Sequence, residues 1–230
     1  MQTQVNWSPE VSEKLPNLAI CIGTIIKVRN EKKNEQIKRL RKSVFEEVRA
    51  KYNIETLKDD LIVRAYRDFY WKLDVDPTKT RPSGEALLRR VLHGDGFPNI
   101  STVVDAYNLA SMKTIVPISG FDVDRLNLPL QVRFAGSGEA FMGIGISKLL
   151  FLTDKMLVLG DARQALCIYP YRDCDYTKIT LQTRNVMIIG YGTPVMTDQQ
   201  LKWTDETTLL YIKEVADGEV EMTKVFSSSR

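Results

Sequence analysis

Histidine is almost missing from this chain: one residue, His93, in 230. A histidine-based metal centre is excluded on that count alone. A Ser-His-Asp or Cys-His arrangement would have to use His93 itself, and no supporting local signature surrounds it. His93 instead closes a helix-patterned segment just before Gly94, where the helix dipole favours a cation. Cysteine is scarce too. Cys21, Cys167 and Cys174 include no close pair, which argues against a disulfide framework and fits a reducing compartment. The apolar runs, such as LAICIG and VMIIG, are far too short to span a bilayer, and the first residues lack the pattern of a signal peptide. The sequence also has no phosphate-binding P-loop, no GxGxxG after a strand and no CxxC. The expectation is a cytoplasmic protein without metal, cofactor, DNA or membrane partner.

What is present is the composition of an ordinary globular chain, 43% hydrophobic and 27% charged, long enough to bury a substantial core. The net charge of +3 carries no overall nucleic-acid signature. Its distribution is uneven. Residues 27–51 hold ten Lys/Arg against four Glu, and residues 198–221 hold seven acids against two lysines. The basic stretch could touch a phosphate backbone or could simply be the solvated face of a helix.

Residues 18–28 (LAICIGTIIKV) are rich in β-branched side chains and predict a strand. Ile37, Leu40, Val44, Val48 and Tyr52 recur at helical spacing, and Leu61, Ala65, Tyr66, Phe69, Tyr70 and Leu73 predict a second helix. After the loop DPTKTRP, Ser83 is a plausible N-cap for the helix GEALLRRVLH. Past Met112 the pattern changes to short strands: VPISGFDVD, LPLQVRF, AFMGIGI, KMLVLGD, ALCIYPY and NVMIIGYG. A helix is expected over residues 204–216 and a short strand, EVEMTKVF, after it. Helices early and strands late predict an α+β fold with a mixed or mostly antiparallel sheet core, organised as one domain over residues 1–230.

The stretch VVDAYNLASM carries its only polar residues, Asp105, Asn108 and Ser111, at every third position. Apolar residues flank that stripe on both sides, so it is expected to be buried. A buried polar group without a partner costs about 1–3 kcal/mol, so the stripe needs internal partners or a ligand. Thr102 and Asp105 have capping-box spacing, and Ser111 could bond back to a carbonyl. Asn108, mid-helix, is the hardest to account for structurally. Downstream, Gly120 permits close backbone approach, with Asp122 and Asp124 alternating outward from Phe121 and Val123.

Three ordered blocks carry a resemblance: DPTKTRPSGEALLRRVLHG, VVDAYNLASMKTIVPISGFDVDRL and CDYTKITLQTRNVMIIGYG. Together they resemble freestanding relatives of the B3/B4 domain, the editing module of the phenylalanyl-tRNA synthetase β-subunit, most strongly over residues 66–191. The resemblance implies an α+β sandwich and hydrolysis of a wrongly formed aminoacyl-tRNA ester. It places Asp105 and Asn108 on a helix bordering the editing pocket, and Ser119, Gly120, Phe121 and Asp122 in the turn that follows. One departure stands out: bacterial synthetases generally carry His-Ala where this chain has Ser119-Gly120.

An aminoacyl ester is already activated, so a positioned water and a stabilised oxyanion suffice for its hydrolysis. On this reading Asn108, Asp105 and Ser111 are the candidate catalytic residues, and Ser119, Gly120, Phe121 and Asp122 bind the substrate. Arg81, Arg89 and Arg90 are candidates for contact with tRNA phosphates. Two other readings stay open: a non-catalytic tRNA- or RNA-binding module, and a binder of small molecules such as amino acids.

Overall fold

The computed structural model describes residues 3–229. In chain order its first elements are β1 (Val5–Trp7), α1 (Pro9–Lys14), β2 (Ala19–Ile26), α2 (Glu35–Lys51), α3 (Leu61–Lys72), α4 (Ser83–His93) and α5 (Thr102–Thr114). The strand-rich half follows: β3 (Ile118–Asp122), β4 (Leu130–Phe134), β5 (Ala140–Phe141), β6 (Leu150–Phe151), β7 (Leu157–Gly160), β8 (Ala165–Ile168), β9 (Arg172–Asp173) and β10 (Val186–Tyr191). The helix α6 (Asp198–Ala216) and the strand β11 (Glu219–Ser227) end the chain's regular structure.

The alternation in β2 sets the architecture. Successive side chains of a strand point to opposite faces, and both faces of β2 are apolar. Ile20 and Ile22 enter one core, while Ile25 enters another and Cys21 packs with Tyr66 and Leu201. A strand buried on both sides must lie inside a layered stack. It does so in a four-stranded antiparallel sheet of order β11-β2-β10-β3.

One face of that sheet is covered by α5 and α6, on which α2 and α4 pack, joining Val44, Leu88, Leu109 and Ile212 in one core. The other face packs on a five-stranded sheet of order β1-β4-β7-β8-β9, in which only the β1–β4 pair is parallel. Phe121, Met187 and Ile189 meet Leu130, Val132 and Leu159 there. Each such fully buried side chain stabilises the fold by about 1.5–3 kcal/mol relative to exposure. The result is an α+β stack of helices, central sheet and outer sheet. No helix among the described residues is long and apolar enough to cross a membrane.

Several local expectations are corrected. Ser83 is the first residue of α4 rather than its cap: Pro82 occupies that position, and its ring has no hydrogen-bonding group to offer. The capping box between Thr102 and Asp105 does not form, because Ser101 caps α5 through the Val104 N–H. Helix α6 begins six residues before the expected 204, where Thr197 and Gln200 form a reciprocal capping box. The expected strand AFMGIGI is reduced to Ala140–Phe141, with Gly143 and Gly145 beyond it. The short elements α1, β1, β6 and β9 have no clear sequence signal.

Candidate functional site

The polar stripe of α5 divides three ways. Asp105 is buried, and its carboxylate accepts from Arg41 Nη2 of α2 at 2.6 Å and from the Ile100 N–H at 2.9 Å. Burial pushes this carboxyl above its usual range despite those two donors. Ser111 is buried and donates to the Val116 carbonyl at 2.6 Å, tying the helix to the turn that follows it. Both residues thus hold structure together. Asn108 is half-buried, and its side-chain amide has no hydrogen-bond partner among the described residues.

After that turn β3 pairs with β10, setting Ser119 opposite Ile189 and Gly120 opposite Ile188. Ser119 and Phe121 face the space between the two sheets, and Gly120 faces the helices. A Cβ at Gly120 would lie 2.7 Å from Tyr107 Cε1 and 2.8 Å from Ile179 Cδ1. Glycine is therefore required for the Tyr107 ring of α5 to lie against β3. Phe121 is fully buried in the inter-sheet core. Asp122 does not alternate outward. It is buried, accepting from Thr183 Oγ1 at 2.7 Å and from the Asp124 N–H at 3.1 Å.

The partner of Ser119 is a residue that the sequence reading did not single out. Ser119 Oγ donates to Asp173 Oδ1 at 2.5 Å. Asp173 lies on the two-residue strand β9, held by β8 with Cys167 directly opposite. Asp173 is half-buried, and desolvation pushes its carboxyl up to about 6, only partly offset by the Ser119 hydroxyl and the Cys167 thiol. Tyr107 is close enough for the Asp173 charge to act on it. Burial first, then that charge, raises the Tyr107 phenol, so it keeps its proton. Its hydroxyl has no hydrogen-bond partner among the described residues. Tyr191, facing Cys167 from β10, likewise has a buried hydroxyl without a partner.

The β5–β6 hairpin borders this cluster. The Ile144 N–H donates to the Asp173 carbonyl at 2.9 Å, and the Asp175 N–H donates to the Met142 carbonyl at 2.8 Å. The hairpin exposes Met142, Ile144, Leu149, Leu150 and Phe151. A carboxyl raised to about 6, a phenol near enough to feel its charge and a hairpin with exposed apolar side chains thus lie in one region. A surface cavity of about 520 Å³, lined by Lys14, Leu73, Phe134 and Lys155 among others, shares no residue with the cluster. Among the described residues no group of three or more His, Cys, Asp or Glu could hold a metal ion.

The three candidate arginines each have a partner within the chain, although Arg81 and Arg90 are exposed and Arg89 is half-buried. Arg89 Nε donates to Glu85 at 2.6 Å, Arg81 Nε lies 3.7 Å from the same carboxylate, and Arg90 Nε donates to the Gly96 carbonyl at 2.9 Å. The structure brings Ser119 and Gly120 together with Tyr107 and Asp173, and keeps Asp105, Ser111 and Asp122 in separate hydrogen-bonded positions. The only sequence sign of Asp173 was its place in the acid-containing run YRDCDY, overlapping the third resembling block.

Comparison with known proteins agrees with this architecture. Over 101 residues, 44% of the chain, it is 29% identical to the phenylalanine–tRNA ligase β-subunit of Pectobacterium atrosepticum and 26% identical to that of Photorhabdus laumondii. The chain spans only 13% of the length of those subunits. An N-terminal fragment of the phenylalanyl-tRNA synthetase β-subunit from Pyrococcus horikoshii shares the fold, with a TM-score of 0.52 at 12% identity over 96% of this chain and 50% of that one. The B3/4 domain model matches residues 65–222, from within α3 into β11. That segment includes α4, α5, β3 and the Ser119–Asp173 pair, and the chain belongs to the B3/4 domain family.

Proposed function

We propose that this protein is a trans-acting editing hydrolase that removes a wrongly attached amino acid from tRNA. The observation that carries this reading is the Ser119–Asp173 pair, a carboxyl raised to about 6 and held at the edge of two sheets. Near pH 7 most of Asp173 is ionised, yet it remains basic enough to take a proton. Such matching of pKa to working pH is what a general base needs.

In the proposed step, ionised Asp173 accepts a proton from water while the oxygen attacks the ester carbonyl. The carbonyl π pair moves onto oxygen, and the Tyr107 hydroxyl donates a hydrogen bond to the resulting oxyanion. When the intermediate collapses, the C–O bond to the ribose breaks and the departing oxygen takes the proton from Asp173. Free amino acid and uncharged tRNA result, with no change of oxidation state. Ser119 is a positioning residue, holding one carboxylate oxygen so that the carboxyl can address the water. The free amide of Asn108 orients the RNA or the acyl group, and the Ser119-Gly120 backbone borders the amino acid. Asp105, Ser111, Phe121 and Asp122 support this arrangement through their buried contacts. The relation to synthetase β-subunits supports tRNA as partner and the cytoplasm as location.

The test is release of labelled amino acid from a panel of correctly and wrongly charged tRNAs. It uses the wild type, Asp173→Asn and Asn108→Ala. Selective release from a wrong pairing, lost in Asp173→Asn, is the expected result. No release from any pairing by folded wild type would overturn the reading in favour of a binding module. Full activity in Asn108→Ala would remove Asn108 alone from the scheme.

A further inference from the structure

Three arginines from three segments converge on one carboxylate at the start of α4. Arg67 of α3 reaches Glu85 with Nε at 3.0 Å and Nη2 at 2.5 Å. Arg89 approaches within 2.6 Å and Arg81 within 3.7 Å. Glu85 is fully buried, whereas the side chains of Arg67, Arg81 and Arg89 are 27%, 43% and 19% exposed. Burial opposes ionisation of Glu85, but the hydrogen bonds from Arg67 and Arg89 prevail and hold its carboxyl below the usual range. No second carboxylate among the described residues pairs with any of the three. Two positive charges are therefore left over, on guanidiniums that Glu85 fixes in place from beneath.

Packed elements link the cluster to the site already described. A Cβ at Gly84 would come within 2.6 Å of the Ile115 carbonyl carbon, so α4 begins pressed against the turn between α5 and β3. Two residues of β3 later comes Ser119. On the other side, the buried Tyr70 has both Cys167 and Glu85 as electrostatic neighbours, and its ring lies 6.2 Å from that of Tyr171. Tyr171 is followed directly by Arg172 and Asp173.

Arginine offers five N–H groups in a planar fork suited to phosphate oxygens. Arg89 and Arg81 address Glu85 through Nε alone, leaving their terminal nitrogens for another acceptor. We propose that Arg67, Arg81 and Arg89, fixed by Glu85, form a phosphate-binding site. It takes a phosphodiester of the RNA strand whose acylated end reaches Asp173. The identity of that strand rests on the proposed function; the anion site itself rests on the arginine cluster.

The experiment reads binding rather than hydrolysis. An uncharged RNA minihelix with the single-stranded CCA end of a tRNA is titrated by fluorescence anisotropy over a series of NaCl concentrations. Wild type, Arg81→Gln and the double variant Arg81→Gln/Arg89→Gln are compared, with inorganic phosphate as competitor. The fold of each variant is checked by circular dichroism. The expected result is a several-fold weaker complex and a salt slope lower by about one for each arginine removed. Unchanged affinity and slope in folded Arg81→Gln and the double variant would overturn the proposal. So would absence of RNA binding by the wild type, or displacement of RNA by phosphate at equal molar concentration, which would identify a free-phosphate site. Arginine-dependent RNA binding without release from charged tRNA would support this site while overturning the hydrolase reading.

Discussion

Glu85 is a fully buried carboxyl and Asp173 a half-buried one, and their surroundings push them in opposite directions. Glu85 meets three guanidiniums and is held ionised. Asp173 accepts from the Ser119 hydroxyl and lies opposite Cys167, neither of which brings a positive charge, and burial lifts it to about 6. Desolvation acts on both, and the charge of the partners decides which way each carboxyl moves. Glu85 therefore serves as a fixed anion around which arginines are arranged. Asp173 can exchange a proton at physiological pH. The first arrangement suits anchoring and the second suits chemistry.

The largest effect should come from removing the exchangeable proton. Asp173→Asn keeps an oxygen for the Ser119 hydroxyl but cannot act as base, so single-turnover deacylation should fall by about 10²–10⁴-fold. Wild-type activity should climb as pH rises through about 6 and then level off, because only the ionised carboxyl accepts a proton. A flat profile from pH 5 to 8 would break the functional half of the comparison.

The anchoring half is tested by Glu85→Gln. This change leaves Arg67 and Arg89, both mostly buried, without their counter-charge. Removing one member of a buried ion pair costs about 3–5 kcal/mol, and the partial exposure of these arginines places the expected loss near the lower end. Urea unfolding at pH 7 measures it. A loss below about 1 kcal/mol would class Glu85 with ordinary surface pairs.

Much of the fold was legible in the sequence, because long elements carry their own periodicity. The spacing of Ile37, Leu40, Val44 and Val48 announced α2, and β2 and β10 announced themselves as β-branched runs. The site was legible in only one of its halves. Ser119 and Gly120 stood in a recognisable block, but their partner Asp173 is 54 positions away on a strand of two residues. A strand that short has no alternation to read, and a pairing across that span exists only once the sheets have stacked. The same reason hid the partners of the arginines. Helical spacing could place Arg89 on the less apolar side of α4, but it could not show that Arg67 of α3 would meet it on a buried Glu85.

Asp205 of α6 extends the comparison to a carboxyl with no evident chemistry. It is buried, its Oδ2 accepts from Thr223 Oγ1 at 2.5 Å and its Oδ1 has no partner. Burial pushes it to about 7, against an ordinary value of about 3.9. Between these values the folded chain retains a proton that the unfolded chain has lost, so stability falls as pH rises from about 4 to 7. Asp205→Asn should remove this contribution and leave the variant about 1–3 kcal/mol more stable than wild type at pH 8, with little gain at pH 4. Urea unfolding at the two pH values tests this; an equal change at both would assign the effect to packing.

The smallest and sharpest test is Ser119→Ala. The Ser119 hydroxyl donates to the ionised form of Asp173, so its loss should raise the Asp173 carboxyl further. A hydrogen bond to a charged group is worth about 1.5–3 kcal/mol, which corresponds to an upward move of about one to two pH units. The rising limb of the activity profile should shift to higher pH by that amount, with its plateau lowered less than about tenfold because Asp173 itself remains. The variant would then be strongly impaired at pH 6 and recover most of its activity near pH 8.5. An equal loss at both pH values would mean that Ser119 touches the substrate directly rather than tuning the carboxyl beside it.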